Sequence, residues 1–477
     1  MKKIILFFVA LWTFQSIIVQ AIAPERLKQA AISYMQNRNP ENRLIGYESM
    51  MDTGSKTVAY LFRFSPSGFL IVSASEKIEP VYAYAVYNTF DLPVAEERSL
   101  KEIIAADLQS RIRASLNYSR SMQMKIQRRW SSFLDGNSRA ILIGQWPPEG
   151  TTPTEGWLYT NWTQNFPYNA MCPMDLNAGS RSVAGCPAIA MAQILNYHRE
   201  INETRFDAGD DYYHSYGAGN SYMIDDDYLT RGFPCFDTLN LWLDTLESTF
   251  QDSGSLTNSL KAALCFACGV AAQQVYTASV SGTFGMEQAA MAYQRFGFSD
   301  SRLVYPDDTT LNSQIAENIK VALPVHLGLL VSTGSGGHNV VVDGYNTDEF
   351  YHFNFGWGGP ANGWYTLPPT GIPYNLTIIE SALLDIKSKQ YTAIKESQNP
   401  RLNVFLYPNP MHDFLVVDEL TGQAFLTMYN LQGESVFTAE LNEYKSIVNF
   451  RNIPSGCYIY HIKNKMGDIT TGKLIKE

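Results

Sequence analysis

The chain has little cysteine, little charge and no long apolar run beyond its first twenty residues, and each shortage excludes something. Six cysteines in 477 residues, at positions 172, 186, 235, 265, 268 and 457, are few for an exported chain of this size and do not suggest a disulfide framework. Cys265 and Cys268 have C-x-x-C spacing, yet no second such pair or histidine pair completes a zinc site. Leu260–Val275 reads as an apolar helix, so packing accounts for both thiols. No metal and no cofactor is expected. Charged residues make up only 17% of the chain, the net charge is −10, and no Lys/Arg-rich run is present. That balance argues against nucleic acid as a partner. No later segment approaches the roughly 20 apolar residues of a membrane span.

What is present begins with a secretory signal. Lys2-Lys3 precedes an apolar run, Ile4 to Val19, and small residues follow at Ala21 and Ala23. This pattern predicts a signal peptide over residues 1–23, cleaved near Ala21 or Ala23. An aromatic content of 13%, with 28 tyrosines, suits an extracellular protein.

The remaining length holds several domains. A helical pattern over Glu25–Asn37, alternating strands at Thr57–Phe64, Phe69–Ser73 and Val81–Tyr87, and a one-faced helix at Ser99–Leu116 predict a small α+β unit of its own over residues 24–137. The Pro/Gly/Thr-rich stretch 146–156 leads into an aromatic-rich domain, taken as residues 138–390. Lys387–Arg401 reads as a polar linker. Residues 402–477 then show short alternating runs, Phe414–Val417, Phe425–Tyr429, Ile447–Phe450, Tyr458–Ile462 and Lys473–Lys476, which predict a β-sandwich. The fold class expected overall is α+β.

The central domain carries one suggestive thiol. In Gly185-Cys186-Pro187, glycine permits a tight turn and proline suits the first helical position. Ala188 to Leu195 then read as a helix covered on most sides. Cys186 at that helix's N-terminus would be favoured as thiolate by the helix dipole and free N–H groups. The same residues also suit a small core cysteine. A nucleophile needs a base, and His198 lies at the far end of the same helix, about 18 Å away. His338 is better placed. It closes the glycine-rich run Gly334–Gly337 and opens the strand Asn339–Val342, with a returning strand from Phe350 to Phe355. A hairpin centred near Asn346 places Asn354 opposite His338, where its amide would accept the imidazole N–H and orient the ring. Trp357 would cover that bond from water. An ordinary polar cross-strand pair is the alternative.

These pieces resemble the streptopain family of papain-like cysteine peptidases. The resemblance rests on Trp162-x-Gln164-x-x-Pro167-Tyr168-Asn169 with Cys172-Pro173, on Gly185-Cys186 followed by Ala190–Ile194 and Tyr197-His198, on Gly336-Gly337-His338 with Val342–Tyr345, and on Asn354-x-Gly356–Gly359 with Gly363–Tyr365. It implies a catalytic domain with a helical side and an antiparallel β side. Cys186 would be the nucleophile, His338 the general base and acid, and Gln164 the oxyanion-hole side chain beside the Cys186 N–H. Asn354 and Trp357 would support the histidine, and Gly337 and Ser281 would lie against substrate. Pro187-Ala188-Ile189 departs from the Val-Ala-Thr expected after the cysteine, but Pro187 removes only its own N–H.

The N-terminal unit resembles the family's inhibitory propeptide at Gly68–Ala74 and Pro80–Tyr84. This implies a zymogen cleaved near residues 135–150. The C-terminal module resembles the type IX secretion sorting domain at Leu406–Pro410, Gly456–Tyr458 and Gly472–Lys476. The implied protein is a secreted or surface-attached endopeptidase acting on protein or peptide substrates, with a preference for an apolar side chain on the substrate residue preceding the one at the scissile bond. Its partners would be its own propeptide and the type IX machinery. Two other uses of the chain remain open at this point: acyl transfer through the same site, and a catalytically idle adhesin.

Overall fold

The computed structural model describes residues 22–136, 144–217, 219–330, 337–369, 378–387 and, apart from short stretches, 404–476. Nearly all of the expected signal peptide, the segment 137–143, the glycine run before Gly337 and most of the polar linker lie outside the described residues. Residues up to 391 form one compact unit and residues from 392 a second.

The N-terminal helix, Pro24–Gln36, buries Leu27, Ala30, Ala31, Tyr34 and Met35. That spacing makes one apolar stripe, which packs with Phe62, Phe64, Leu70 and Val72 of an antiparallel meander. The meander runs Arg43–Met51, Thr57–Ser65, Phe69–Ser73 and Val81–Ala85. Sequence periodicity found its last three strands and missed the first, whose burial alternates weakly. A long helix, Val94–Ala114, buries Leu100, Ile103, Ile104 and Leu108, and a further helix follows at Arg120–Leu134.

This α+β unit does not stand apart as expected. Its last strand, Val81–Ala85, pairs with Gly363–Thr366 of the following domain, so that Tyr84 opposes Trp364 and Ala83 opposes Tyr365. One 11-stranded sheet therefore runs through both. Gly363 makes the approach possible, because a Cβ there would sit 2.7 Å from the Tyr84 carbonyl oxygen. Beside this seam the Arg111 guanidinium bonds Asp107 (2.6 Å) and donates to both the hydroxyl and the carbonyl of Thr366 (2.8 Å each). The Asp107 carboxylate also accepts from the Tyr82 hydroxyl at 2.9 Å. All four residues are buried, so the ion pair is satisfied on several sides, as burial of charge requires.

Beyond the seam the strands follow in the order Gly363–Thr366, Phe350–Asn354, Gly337–Asn346, Val325–Leu330, Ile379–Leu384 and Arg302–Val304. Facing them is a helical side centred on Cys186–His198, which packs with the helix Asn258–Ala271 and the strand Gly337–Asn346. Pro187 through Leu195 are all buried. The small Ala188, Ala190 and Ala192 let neighbours approach closely. Cys265 and Cys268 are buried in the Asn258–Ala271 helix, in line with a packing role. The helical-plus-antiparallel architecture expected of the catalytic domain is the one observed.

The C-terminal unit has two antiparallel sheets around one core. One contains Phe405–Tyr407, Phe414–Leu420 and Tyr444–Asn449. The other contains Ser435–Leu441, Ala424–Tyr429, Gly456–Asn464 and Ile469–Lys476. Leu415 and Val417 from the first meet Leu426, Met428, Ile462 and Leu474 from the second, giving the expected sandwich.

Candidate active site

The helix Cys186–His198 starts where the sequence indicated. Gly185 precedes it at φ +87°, and a Cβ there would stand 2.9 Å from both the Gln274 amide oxygen and the Ser281 carbonyl. Only glycine fits that turn. Ala184 donates its N–H to the Gln164 carbonyl at 2.8 Å, which ties the Asn161–Asn169 loop to the cysteine turn. The structure thus brings Gln164, Cys186 and Ser281 together. Ser281 itself is buried, its hydroxyl accepting from the Thr277 N–H and donating to the Thr277 carbonyl, each at 3.1 Å.

Across from the cysteine lies the strand Gly337–Asn346. Gly337 is exposed at its start, with the Leu329 carbonyl 2.6 Å from where a Cβ would be. Alternation along this strand decides what the sulfur meets. Val341 packs into the helical core, whereas Val340 and Val342 pack into the core on the opposite face. Asn339 shares the face of Val341, and its backbone N–H donates to the Cys186 sulfur at 3.4 Å. His338 shares the other face. Its Nε2–H donates to the Phe355 carbonyl at 2.8 Å, and its ring stacks on Trp357 with centroids 4.3 Å apart and planes 18° apart. Among the described residues no hydrogen bond joins His338 to Cys186.

Asn354 does not face His338. The structure pairs Asn354 with Val341, because the turn is centred two residues later than expected and an irregularity between Val342 and Gly344 shifts the register again. Continued along the strand, that register places Trp357 opposite His338, in accord with their stacking. The Asn354 amide instead donates to the Thr160 carbonyl at 2.8 Å, and its oxygen accepts from the Gly356 N–H at 3.0 Å and from Gln193 at 3.3 Å. Gln193, on the cysteine helix, also accepts from the Trp162 N–H at 3.1 Å. Asn354 and Gln193 together clamp the segment that carries Gln164. Sequence reasoning assigned Gln193 no role, although a buried amide in an otherwise apolar helix was a visible signal.

The electrostatics also depart from expectation. Burial pushes the Cys186 thiol up to about 11, against the opposing pull of the Asn339 backbone and side chain and of its own N–H. Burial pulls His338 down to about 4. Both groups are neutral at pH 7. A helix terminus contributes only about 0.3–2 kcal/mol, less than the cost of burying a charged sulfur that has no cation beside it among the described residues.

A thiol at a helix N-terminus, facing an antiparallel strand that carries a histidine, is the layout of a cysteine peptidase. Residues 162–365 match the Peptidase C10 family. Residues 19–112 match the Spi protease inhibitor model, and residues 405–477 the secretion system C-terminal sorting domain. Streptopain from Streptococcus pyogenes serotype M28 is 25% identical over 364 residues, covering 71% of this chain and 83% of streptopain. The thiol protease/hemagglutinin PrtT of Porphyromonas gingivalis is 24% identical over 375 residues, covering 72% of this chain and 38% of that one. Among solved structures, a Prevotella intermedia prointerpain A fragment aligns with TM-score 0.47 and 21% identity, covering 73% of this chain and 99% of the fragment. The chain is a cysteine-type peptidase with an inhibitor domain and a sorting domain. Among the described residues no helix is long and apolar enough to cross a membrane.

Proposed function

We propose that the protein is an exported cysteine endopeptidase held latent by its N-terminal domain. Cys186 attacks the scissile carbonyl, His338 protonates the leaving amine, and water resolves the thioester. The Gln164 side chain and the Cys186 N–H hold the oxyanion. Trp357 screens His338, and Gly337 and Ser281 offer backbone to substrate. The observation that carries the reading is the adjacency of His338 and Asn339: the sulfur already touches the strand, one residue away from the imidazole it needs.

Latency follows from the same geometry. In the full-length chain His338 Nε2 is held by the Phe355 carbonyl, and among the described residues the imidazole makes no hydrogen bond to Cys186. The face that now holds it is backed by Leu329, Phe353 and Phe355, and an apolar cavity there is lined by the same residues together with Tyr82, Leu100, Ile103 and Ile104 of the N-terminal domain. Removal of that domain, by cleavage near residues 135–150, frees this face. The sorting domain directs export through a type IX system to the exterior of a Gram-negative cell, where the enzyme is released or surface-attached.

The test is labelling of the processed protein by a thiol-directed epoxide, alongside cleavage of an unfolded protein substrate. Both are expected, and both should vanish in Cys186→Ala. A processed protein that neither labels nor cleaves would refute the reading and favour an idle adhesin. Labelling with amine acylation in place of hydrolysis would favour acyl transfer.

A further inference from the structure

A chain of buried polar groups ends on the reactive sulfur, and the activity as described leaves it without a role. Tyr293 on the helix Met286–Arg295 and His326 on the strand Val325–Leu330 are both wholly buried. The Tyr293 hydroxyl lies 3.3 Å from His326 Nδ1, and His326 Nε2 lies 2.7 Å from the Asn339 side-chain oxygen. An amide oxygen only accepts, so Nε2 carries the proton and Nδ1 accepts from the tyrosine. With its oxygen so engaged, the Asn339 amide turns its NH₂ away from His326. His326 and Asn339 lie diagonally on one face of the paired strands, with Gly328 directly opposite Asn339.

We infer that Asn339 is a thiolate-stabilising partner of Cys186, donating from its backbone N–H and its side-chain NH₂, and that His326 and Tyr293 are positioning residues that fix which end of the amide faces the sulfur. The inference rests on Cys186 being the nucleophile. It gives the sulfur donors that do not depend on the imidazole, so that the thiolate is partly provided for before His338 arrives. Burial keeps His326 neutral, down to about 4, so the relay does not change its protonation across the neutral range. The other titratable groups facing this region are His338 on the same strand, Glu380, whose carboxylate lies close to Gly328, and Cys268, which lies near Tyr293.

The experiment follows iodoacetamide alkylation of the Cys186 peptide by mass spectrometry in the full-length chain, from about pH 7 to about pH 10, where the rate of a thiol pushed up to about 11 rises with its thiolate fraction. Asn339→Ala should move the profile about one pH unit higher, the effect of one lost hydrogen bond to a charged group. His326→Phe, which frees the amide to flip, should move it in the same direction. His326→Gln, which retains an N–H for the Asn339 oxygen, should restore it. A purely structural role would lower thermal stability and leave the profile in place. If the Asn339→Ala profile superposes on the wild type, the inference fails. If His326→Phe does not fold, Asn339→Ala and His326→Gln decide alone. If Cys186→Ala retains peptidase activity, it is the assignment of the nucleophile that fails instead.

Discussion

Replacing His338 by alanine in the processed enzyme should lower kcat/KM by about 10³-fold or more, the scale of lost general acid–base catalysis compounded by a less ionised nucleophile. The loss should fall on kcat, because the imidazole acts on the reacting atoms and not on substrate binding. The same substitution should behave differently in the unprocessed chain. There His338 bonds the Phe355 carbonyl and stacks on Trp357, so Cys186 alkylation should be nearly unchanged. Steady-state kinetics on the processed variant and alkylation rates on the full-length variant separate the two states. An equal effect in both would mean that the imidazole already serves the sulfur before processing.

The second large effect concerns stability. Asp343 and His352 are wholly buried, with His352 Nδ1 2.6 Å from one Asp343 carboxylate oxygen. The other carboxylate oxygen accepts from the Leu158 N–H at 2.9 Å, and the Asp343 carbonyl accepts from the Trp157 N–H at 2.8 Å. This residue anchors the chain entering the catalytic domain to the strand that carries His338. His352→Leu leaves a buried carboxylate without its hydrogen-bonded partner and should cost about 3–5 kcal/mol. Combining it with Asp343→Asn should recover part of that loss, because the orphaned charge is then gone. Chemical denaturation of the three variants checks the order. Asp343 and Glu155 raise His352 above its ordinary value, outweighing burial. The stabilisation it adds is therefore complete below about pH 6.5, the ordinary imidazole value, and declines as pH rises through the raised value. A wild-type stability that increased over that interval through this pair would contradict the assignment.

The sequence was most legible where local rules dominate. Gly185-Cys186-Pro187 announced the start of a buried helix, and the helix begins at Cys186. Three of the four N-terminal strands and the sandwich were readable from alternation and turns. The positions that matter for chemistry were less readable because they depend on register. A turn centred two residues late and one irregularity near Gly344 moved Asn354 away from His338. Gly344 was the available signal: a Cβ there would lie 2.6 Å from the His352 Cβ, and a glycine inside a strand often marks a bulge. That the Asn339 backbone N–H makes the hydrogen bond to Cys186 has no local signature, since it is set by how the strand and the helix pack. Nor could a helix N-terminus alone reveal that burial would keep the thiol protonated.

The central proposal is that the N-terminal domain holds the peptidase latent and that Cys186 gains an ion pair with His338 when it is removed. Its most direct test is the pH dependence of Cys186 alkylation before and after processing. In the full-length chain the thiol is pushed up to about 11, so the rate should be low at pH 7 and climb about tenfold per pH unit, following the thiolate fraction. After processing, an ion pair with His338 should make alkylation fast at pH 7, with its lower limb moved to acid pH. Superposed profiles before and after processing would contradict the account.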